Sequence, residues 1–261
     1  MSSYIGRHAE LYDVFYADKP YGDEALFVHE CLEKYGAGKI RRLLELACGT
    51  GSHAFALEKF GYKIVATDYS RDMLARARSK AAKAASSIDF QLHDMRSLDV
   101  SGRPFDAVIC LFDSIGYVET NEALTQVFQG IHHHLRIEGL FVFEFWHAAA
   151  MLRGYDPVRV RRWSTPEEEI VRISETELDC SNQLARVKYT IYELRKNGTY
   201  ESLVETQTNR YFLVQEMARL LLSCGLKPLK WFAGFTPNEN ITEQTWHIVG
   251  VAEKREQLPE A

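Results

Sequence analysis

Apolar and polar positions along the chain change their period at several points, and each change predicts an element. Between residues 40 and 146, short apolar runs such as "RLLEL" and "DAVICLF" alternate with segments whose apolar side chains recur every three or four residues. The runs are typical of strands buried on both faces, and the segments predict amphipathic helices, one of them over Asn121 to His134. The alternation predicts a parallel sheet with helices on both faces.

A second region, residues 151–210, has a different period. Here "EEIVRISETELD", "LARVKYTIYEL" and "YESLVETQTNRYF" alternate apolar and polar side chains, which predicts antiparallel strands. Asn197 and Gly198 predict a two-residue type I′ turn between the last two strands. A helix and two strands follow, so we expect the chain to rejoin the first sheet. The predicted domains are residues 1–150 with 211–255, which begin with a helical N-terminal cover, and an inserted β-subdomain at 151–210.

Composition narrows the class of partner. The 261 residues are 46% hydrophobic with a formal net charge of −5, which provides no overall cationic field for nucleic acid or an anionic membrane. We interpret Arg159, Arg161 and Arg162 as a solvated strand face. The five cysteines are odd in number and widely spaced, which favours free thiols in the cytoplasm over disulfides or a zinc site. No signal peptide and no membrane span is expected.

Glycines and polar side chains gather where four predicted parallel strands end. Ligands bind at the carboxyl ends of the strands in open α/β sheets, so these positions form a candidate pocket. Asp68 is placed to accept hydrogen bonds from both hydroxyls of a ribose, and Asp94 beside Met95 suits an adenine ring. The pattern therefore predicts an adenosine pocket. Its residues, strand by strand, are Gly49, Thr50, Gly51, Asp68, Asp94, Met95, Phe112, Asp113, Ser114 and Ile115.

A carboxylate, Glu45, lies inside the first of these strands. The loop "GTGSHA" also satisfies the dinucleotide-binding spacing, with Ala54 in third place, which leaves a nicotinamide-dependent oxidoreductase open. A carboxylate near the strand end would repel a pyrophosphate, whereas it attracts a ligand with a cationic amino group. Glu45 therefore favours S-adenosylmethionine as the cofactor.

Four motifs, "LLELACGTG", "IVATDYS", "HDMRSL" and "FDAVICLFDSIGYV", resemble the successive motifs of class I S-adenosylmethionine-dependent methyltransferases over about residues 40 to 145. The resemblance implies a Rossmann-like α/β sheet with an inserted antiparallel sheet. With "AELYDVFYADKPY", the chain is further similar to bacterial N,N-dimethyltransferases of nucleotide-linked amino sugars, and more loosely to glycine N-methyltransferase-like enzymes. It departs from the amino-sugar pattern at Tyr117, where histidine can stand, and in "ITEQTWHIVG", which lacks an expected arginine.

The resemblance also implies that the N-terminal aromatic segment folds over the cofactor. Tyr16, Tyr117 and His147 are the candidate catalytic residues, with His147 as a general base. Tyr16 and Tyr117, together with Trp146 and Trp163, are the predicted substrate-binding residues. The predicted cofactor-binding residues are Tyr12, Tyr21, Glu45, Ala47, Gly49, Thr50, Gly51, Asp68, Tyr69, Met73, Asp94, Met95, Leu111, Phe112 and Ser114.

Methyl transfer from a sulfonium is a direct displacement, so positioning is the main contribution that we expect from the protein. An amine acceptor needs only to be neutral, and an apolar pocket favours that form. We predict a small-molecule acceptor, methylated at an amine nitrogen, with an amino sugar as one candidate. A non-catalytic S-adenosylmethionine-binding module is a further alternative, and a homodimer is left open. No metal is expected, because the consecutive His132, His133 and His134 point in different directions on a helix.

Overall fold

The computed structural model describes residues 4–166 and 168–256, which form seven α-helices and eleven β-strands. The helices α1 to α7 are Gly6–Phe15, Tyr21–Tyr35, Ser52–Glu58, Arg71–Ala84, Asn121–His134, Ala148–Gly154 and Val214–Ser223. The strands β1 to β11 are Arg42–Leu46, Lys63–Asp68, Asp89–Leu92, Phe105–Cys110, Leu135–Trp146, Val158–Ser164, Glu168–Asp179, Leu184–Arg195, Tyr200–Arg210, Leu226–Ala233 and His247–Lys254.

The larger sheet has seven strands in the order β10-β11-β5-β4-β1-β2-β3. Strands β1 to β5 pair in parallel, and β11 pairs antiparallel with both β5 and β10. The chain therefore returns to this sheet after the antiparallel insert, as the sequence predicts. The α/β fold with a second, antiparallel sheet is confirmed.

Helices cover both faces of this sheet because its central strands are apolar on both sides. Leu43 of β1 packs in a buried cluster with side chains of α2, α3 and α4, whereas the neighbouring Leu44 packs with α5 and α7 on the opposite face. Both leucines are fully buried, and such a side chain contributes about 1.5–3 kcal/mol of hydrophobic stabilisation. The two clusters fix the strands whose carboxyl ends carry the candidate site.

The smaller sheet has four antiparallel strands in the order β6-β7-β8-β9. The predicted type I′ turn at its β8–β9 connection is wrong. Gly198 has a φ of 84°, but Asn197 is not among the residues with positive φ, and Arg195 pairs with Thr199 across the loop. This pattern matches a longer loop, in which a left-handed glycine follows an ordinary turn. The division of the chain at 151–210 into domains stays a prediction.

The two sheets meet at Gly116, in a 3₁₀ turn (Ser114–Tyr117) that follows β4. A Cβ atom at Gly116 would lie 1.9 Å from Asn209 Oδ1 and 2.8 Å from the carbonyl oxygen of Arg210, both on β9. Asn209 Nδ2 in turn donates a hydrogen bond of 3.3 Å to the carbonyl oxygen of Asp113. The glycine of "SIG" therefore lets a strand of the smaller sheet lie against the edge where β4 ends.

The structure also describes the cysteines and the length of the apolar helices. All five cysteines are free thiols, four of them buried and Cys180 exposed. Within residues 4–166 and 168–256, no helix is long and apolar enough to cross a bilayer.

Candidate functional site

The loop between β1 and α3 carries the two glycines that the sequence singles out, and they serve different purposes. Both have positive φ, 57° at Gly49 and 83° at Gly51. A Cβ atom at Gly49 would lie 3.3 Å from Met73 Cε and 3.9 Å from the hydroxyl of Tyr12, so this residue faces the aromatic cover. A Cβ atom at Gly51 would lie 2.8 Å from the ring of Phe90. Gly51 therefore makes room for core packing, whereas Gly49 lies at the candidate cofactor site.

Two buried carboxylates flank this loop. Asp68 Oδ2 accepts a hydrogen bond of 2.8 Å from the backbone N–H of Gly49, and Oδ1 accepts one of 2.8 Å from Ser70. Glu45 Oε2 is buried and has no hydrogen-bond partner among the residues described. Burial, followed by the charge of Asp68, raises the pKa of Glu45 to about 8. A buried carboxylate without a donor is unfavourable, so the geometry fits a ligand that brings a cationic amino group.

Helix α1 covers the loop, as the predicted N-terminal cover requires. Thr50 Oγ1 donates a hydrogen bond of 2.7 Å to Asp13 Oδ1, and Lys80 Nζ lies 2.9 Å from the same oxygen. Tyr12 is buried in a cluster with Met73, and its ring centroid lies 4.8 Å from that of Tyr16. Tyr16 also contacts Phe112, so the cover extends from the glycine loop to the end of β4.

Other predicted cofactor residues have partners within the protein. Asp94 begins the 3₁₀ turn that follows β3, where it accepts a hydrogen bond of 2.9 Å from the N–H of Arg96 and forms an ion pair with the Arg96 side chain at 2.5 Å. Tyr21 packs against His53 with ring centroids 4.8 Å apart, and Tyr69 is exposed. Their cofactor roles stay predictions. The remaining predicted members of this set lie at the same sheet edge, after β1 and β4 or at the start of the two 3₁₀ turns: Ala47, Met95, Leu111 and Ser114.

A cluster that the sequence analysis did not assemble lies where β4 and β5 end and β11 begins. Phe112 and Asp113 follow β4 with φ values of 57° and 55°, a conformation that is unfavourable for residues other than glycine. Glu144 Oε2 accepts a hydrogen bond of 2.6 Å from the N–H of Phe112 and holds this turn. His247 Nδ1 lies 3.1 Å from Asp113 Oδ1 and 3.0 Å from Glu144 Oε1.

The charges of this cluster are coupled. Burial lowers the pKa of His247, but the charges and hydrogen bonds of Asp113 and Glu144 raise it to about 11, so the imidazole is cationic at neutral pH. Burial and the charge of Asp113 raise the pKa of Glu144. One ligand atom from each of the three residues lies within 4.8 Å of the others, a spacing that a metal ion can also bridge. The absence of a metal stays an expectation.

Two cavities share this cluster as part of their walls. The first, of about 620 Å³, lies between the two sheets, and the second, of about 690 Å³, lies beside the β10–β11 connection. Both are lined by Phe112 and His247. Of the predicted substrate-binding residues, Tyr16, Trp146 and Trp163 line the first cavity. The arginines interpreted as a solvated strand face, Arg159, Arg161 and Arg162, are exposed on β6 and also line this cavity.

The other two candidate catalytic residues are not among the lining side chains of either cavity. The Tyr117 hydroxyl lies 2.5 Å from that of Tyr4 and 3.4 Å from Gln207 Oε1. His147 is buried, and its Nδ1 lies 3.1 Å from the carbonyl oxygen of Thr245, to which it donates. These contacts are those of packed, hydrogen-bonded side chains, and the catalytic roles of both residues stay predictions.

His247 does not follow a parallel strand, so the rule that ligands bind at the carboxyl ends of parallel strands does not point to it. β11 runs antiparallel to β5, and His247 pairs with Trp146 at the last residue of β5. The start of an antiparallel strand lies at the same edge as the end of its parallel neighbour. Applied to "TWHIVG", this rule places His247 beside the "LFD" turn, and Glu144 two residues before the end of β5 completes the group.

Comparisons with known proteins agree with this geometry. Residues 43–139 match a family described as a methyltransferase domain. A dTDP-3-amino-3,4,6-trideoxy-alpha-D-glucopyranose N,N-dimethyltransferase of Streptomyces venezuelae is 35% identical over 143 residues, 53% of this chain and 57% of that protein. A glycine/sarcosine N-methyltransferase of Parasynechococcus marenigrum is 29% identical over 173 residues, 64% and 58% of the two chains.

One solved structure shares nearly the whole fold. It is the sugar N-methyltransferase KedS8 from Streptoalloteichus, which has a TM-score of 0.80 and 24% sequence identity. The match covers 98% of this chain and 97% of that one. It therefore includes the second sheet as well as the larger one.

Proposed function

Because the chain belongs to the class I S-adenosylmethionine-dependent methyltransferases, we propose that it transfers a methyl group to an amine nitrogen of a small molecule. A nucleotide-linked amino sugar is the first candidate, since relatives that match about half of the chain carry that activity in their names. Membership in this family argues against the nicotinamide-dependent oxidoreductase that the glycine loop alone left open.

The cluster of Asp113, Glu144 and His247 carries the proposal for nitrogen. Two carboxylates share one imidazolium, so the group keeps a net negative charge, and Asp113 and His247 of this group line the first cavity. A protonated amine is attracted to such a group, and the carboxylate oxygens can accept its N–H hydrogens. Apolar neighbours such as Phe112 and Trp146 favour the neutral amine that must attack.

The cofactor supplies a methyl group that its sulfonium already activates for displacement. In the proposal, Glu45 pairs with its amino group, Asp68 accepts hydrogen bonds from its ribose, and Gly49 lets the loop approach it. Tyr12 and Tyr16 exclude water from the space above the loop. The orphaned Glu45 oxygen is the feature of this chain that most directly supports a cationic ligand at this position.

Proton handling falls to the acidic cluster. An ammonium group has no lone pair, so its proton must leave before the nitrogen attacks the methyl carbon. The pKa of Glu144 is raised, which makes this carboxylate a suitable final acceptor for that proton; because Glu144 lines the second cavity and not the first, the proton would reach it through water. The imidazolium of His247 neutralises part of the charge of the two acids, and Phe112 Nα–H fixes the orientation of Glu144.

The test is an assay of the full chain with S-adenosylmethionine and paired acceptors that differ only in an amine or a hydroxyl group. We expect S-adenosylhomocysteine release and a methylated product with the amine, seen by mass spectrometry, and none with its hydroxyl partner. Asp113→Asn should lower the rate with the amine. Methylation of the hydroxyl compound instead would contradict nitrogen as the acceptor atom. Cofactor binding without methylation across a broad amine panel would favour the non-catalytic alternative.

A further inference from the structure

Arg172, on β7, is a buried cation without an anion. Its side chain lines the first cavity, and the residue is only 6% exposed. Among the residues described, its side chain forms no ion pair and no hydrogen bond, and the Nε is buried without a partner. Burial of an unpaired charge is costly, so a side chain of this kind indicates a missing partner.

Aromatic rings surround the guanidinium group but do not replace that partner. Its Cζ lies 4.8 Å from the ring centroid of Phe15, 5.1 Å from Trp163 and 5.1 Å from Tyr189. Contacts of this kind attract the positive charge, but the rings accept no hydrogen bonds from the planar edge of the guanidinium group. The rings hold Arg172 in one orientation and leave its N–H donors unused.

Arg210 provides a comparison within the same sheet. It is buried to the same extent, 6% exposed, and its guanidinium also lies over an aromatic ring, that of Phe212. The Nε of Arg210 is also buried without a partner, but unlike Arg172 its guanidinium forms an ion pair with Glu216 at 2.8 Å. A buried arginine that serves the fold thus has its carboxylate within the chain, and Arg172 does not.

The wall around Arg172 is also basic. Arg159, Arg161 and Arg162 line the same cavity from the neighbouring strand β6. Arg159 pairs with Asp156 and Arg162 with Glu169, both at exposed positions, whereas Arg161 forms no ion pair with any residue in the described part of the chain. The cavity therefore has a basic side on the smaller sheet and an acidic cluster on the larger one.

We propose that Arg172 binds an anionic group of the methyl acceptor, a carboxylate or a phosphate, while the cluster of Asp113, Glu144 and His247 faces the amine. The acceptor is then a molecule that carries a negative group as well as the nitrogen to be methylated. This inference rests on the proposed function for the identity of the bound molecule, but the anion site itself is defined without any turnover.

The test measures anion binding to the full chain saturated with S-adenosylhomocysteine, with pyrophosphate and acetate as separate probes and sodium chloride as the ionic-strength control. Calorimetry and the thermal midpoint are the readouts. The first variant is Arg172→Met, which keeps the length of the side chain and its contacts with the aromatic rings. The second is Arg172→Lys, which keeps the positive charge but lacks the planar guanidinium group with its paired N–H donors. Arg186→Gln on β8 is the matched control, because Arg186 carries the same charge on the same sheet, is exposed, and is not among the residues that line the cavity.

We expect Arg172→Met to weaken binding of the preferred probe by about tenfold or more and Arg172→Lys by less, since the methionine removes every charge-assisted hydrogen bond to the anion and the lysine keeps the charge. Arg186→Gln should leave it unchanged. Tighter binding of pyrophosphate points to a phosphate-bearing acceptor, and tighter binding of acetate to a carboxylate. Without added anion, Arg172→Met should be at least as stable as the wild type, because an unpaired buried charge is gone.

Equal anion affinity in the wild type and Arg172→Met would overturn the inference, as would an equal loss in Arg186→Gln. If Arg172→Met does not fold, Arg172 is structural and the inference fails unless Arg172→Lys folds and binds the probe more weakly. A chain that binds the anion through Arg172 but methylates no amine keeps this inference and loses the proposed function. A chain that methylates amines but shows no anion binding through Arg172 keeps the proposed function and loses this inference.

Discussion

The two walls of the site differ in how the chain builds them. The cofactor wall comes from short local segments: Glu45 and Gly49 lie four residues apart, and Asp68 ends the next strand. The acceptor wall brings together residues from distant parts of the chain, with Asp113 on the β4 loop and His247 separated by 134 positions. Local encoding leaves a motif that can be read from sequence, whereas assembly over long distances leaves only separate residues.

The smaller sheet differs in charge from both of these walls. Buried acids surround the glycine loop, and one of them has an oxygen without a donor. Across the first cavity, the smaller sheet presents arginines, including the unpaired Arg172. A single net charge of −5 hides this division, because charges of opposite sign gather on opposite sides of the site. The overall charge excludes a cationic surface for the whole chain, but it says little about one pocket.

The largest effect is expected at the cofactor wall. Asp68→Ala removes the acceptor for the N–H groups of Gly49 and Ser70 and, in the proposal, for the ribose hydroxyls. Loss of two or more hydrogen bonds to a charged group, at about 1.5–3 kcal/mol each, should weaken S-adenosylhomocysteine binding by about 100-fold or more. Calorimetry measures the affinity, and Asp89→Ala on the exposed start of β3 is the control. An affinity within a few-fold of the wild type would remove Asp68 from the cofactor site.

A smaller effect, confined to the acceptor wall, is expected from Asp113→Asn. Asparagine tolerates the left-handed backbone at this position and keeps the volume, but it removes one of the two charges that face His247. We expect kcat/KM for the amine to fall by about 30-fold, which corresponds to about 2 kcal/mol, with S-adenosylhomocysteine affinity within about threefold of the wild type. Equal losses of affinity and activity would show that the two walls are not separable.

The parallel sheet, the antiparallel insert, the return of the chain to the first sheet and the glycine loop follow from the sequence, because periodicity and turn chemistry are local. The same information does not reveal that the missing Cβ of Gly51 makes room for Phe90, and the cofactor role of Gly51 stays a prediction. Arg159 is exposed, in agreement with the interpretation of a solvated strand face, but the sequence does not show that this residue also lines a cavity. His147 and His247 cannot be distinguished as isolated histidines in the sequence. The antiparallel pairing of β11 places His247 between two acids, whereas the ring of His147 is hydrogen-bonded to the carbonyl oxygen of Thr245.

Gly116, the glycine of "SIG", tests the difference between locally encoded features and features that depend on distant residues. Its role is set by Asn209, almost a hundred positions away. Gly116→Ala places a Cβ atom against Asn209 and the backbone of Arg210, where only the first can move. Overpacking of this kind costs about 1–3 kcal/mol, and we expect a loss of about 2 kcal/mol in the free energy of unfolding. Urea denaturation measures it. Gly22→Ala is the control, because nothing lies within 4 Å of its new Cβ, and no loss is expected there.

The smallest effect concerns the proton on Glu45. Its pKa of about 8 in the ligand-free protein lies above the ordinary 4.5, so the protonated form is favoured by folding, and this contribution to stability declines as pH rises from about 4.5 to 8. Pairing with the cofactor amino group requires the ionised form, so binding releases a proton. Between pH 5.5 and 7, where the ligand keeps its amino proton, S-adenosylhomocysteine affinity should rise by up to about tenfold per pH unit.

Glu45→Gln tests whether the pH dependence of S-adenosylhomocysteine affinity comes from Glu45 or from Asp68. The amide cannot release a proton, so the slope of affinity against pH should flatten in the variant, leaving only the contribution of Asp68, whose pKa burial also raises. Calorimetry in two buffers of different ionisation enthalpy gives the released proton directly. A slope as steep in Glu45→Gln as in the wild type would assign the proton to Asp68. The cofactor wall would then recognise its ligand through the ribose carboxylate alone, and the acid inside β1 would serve the fold.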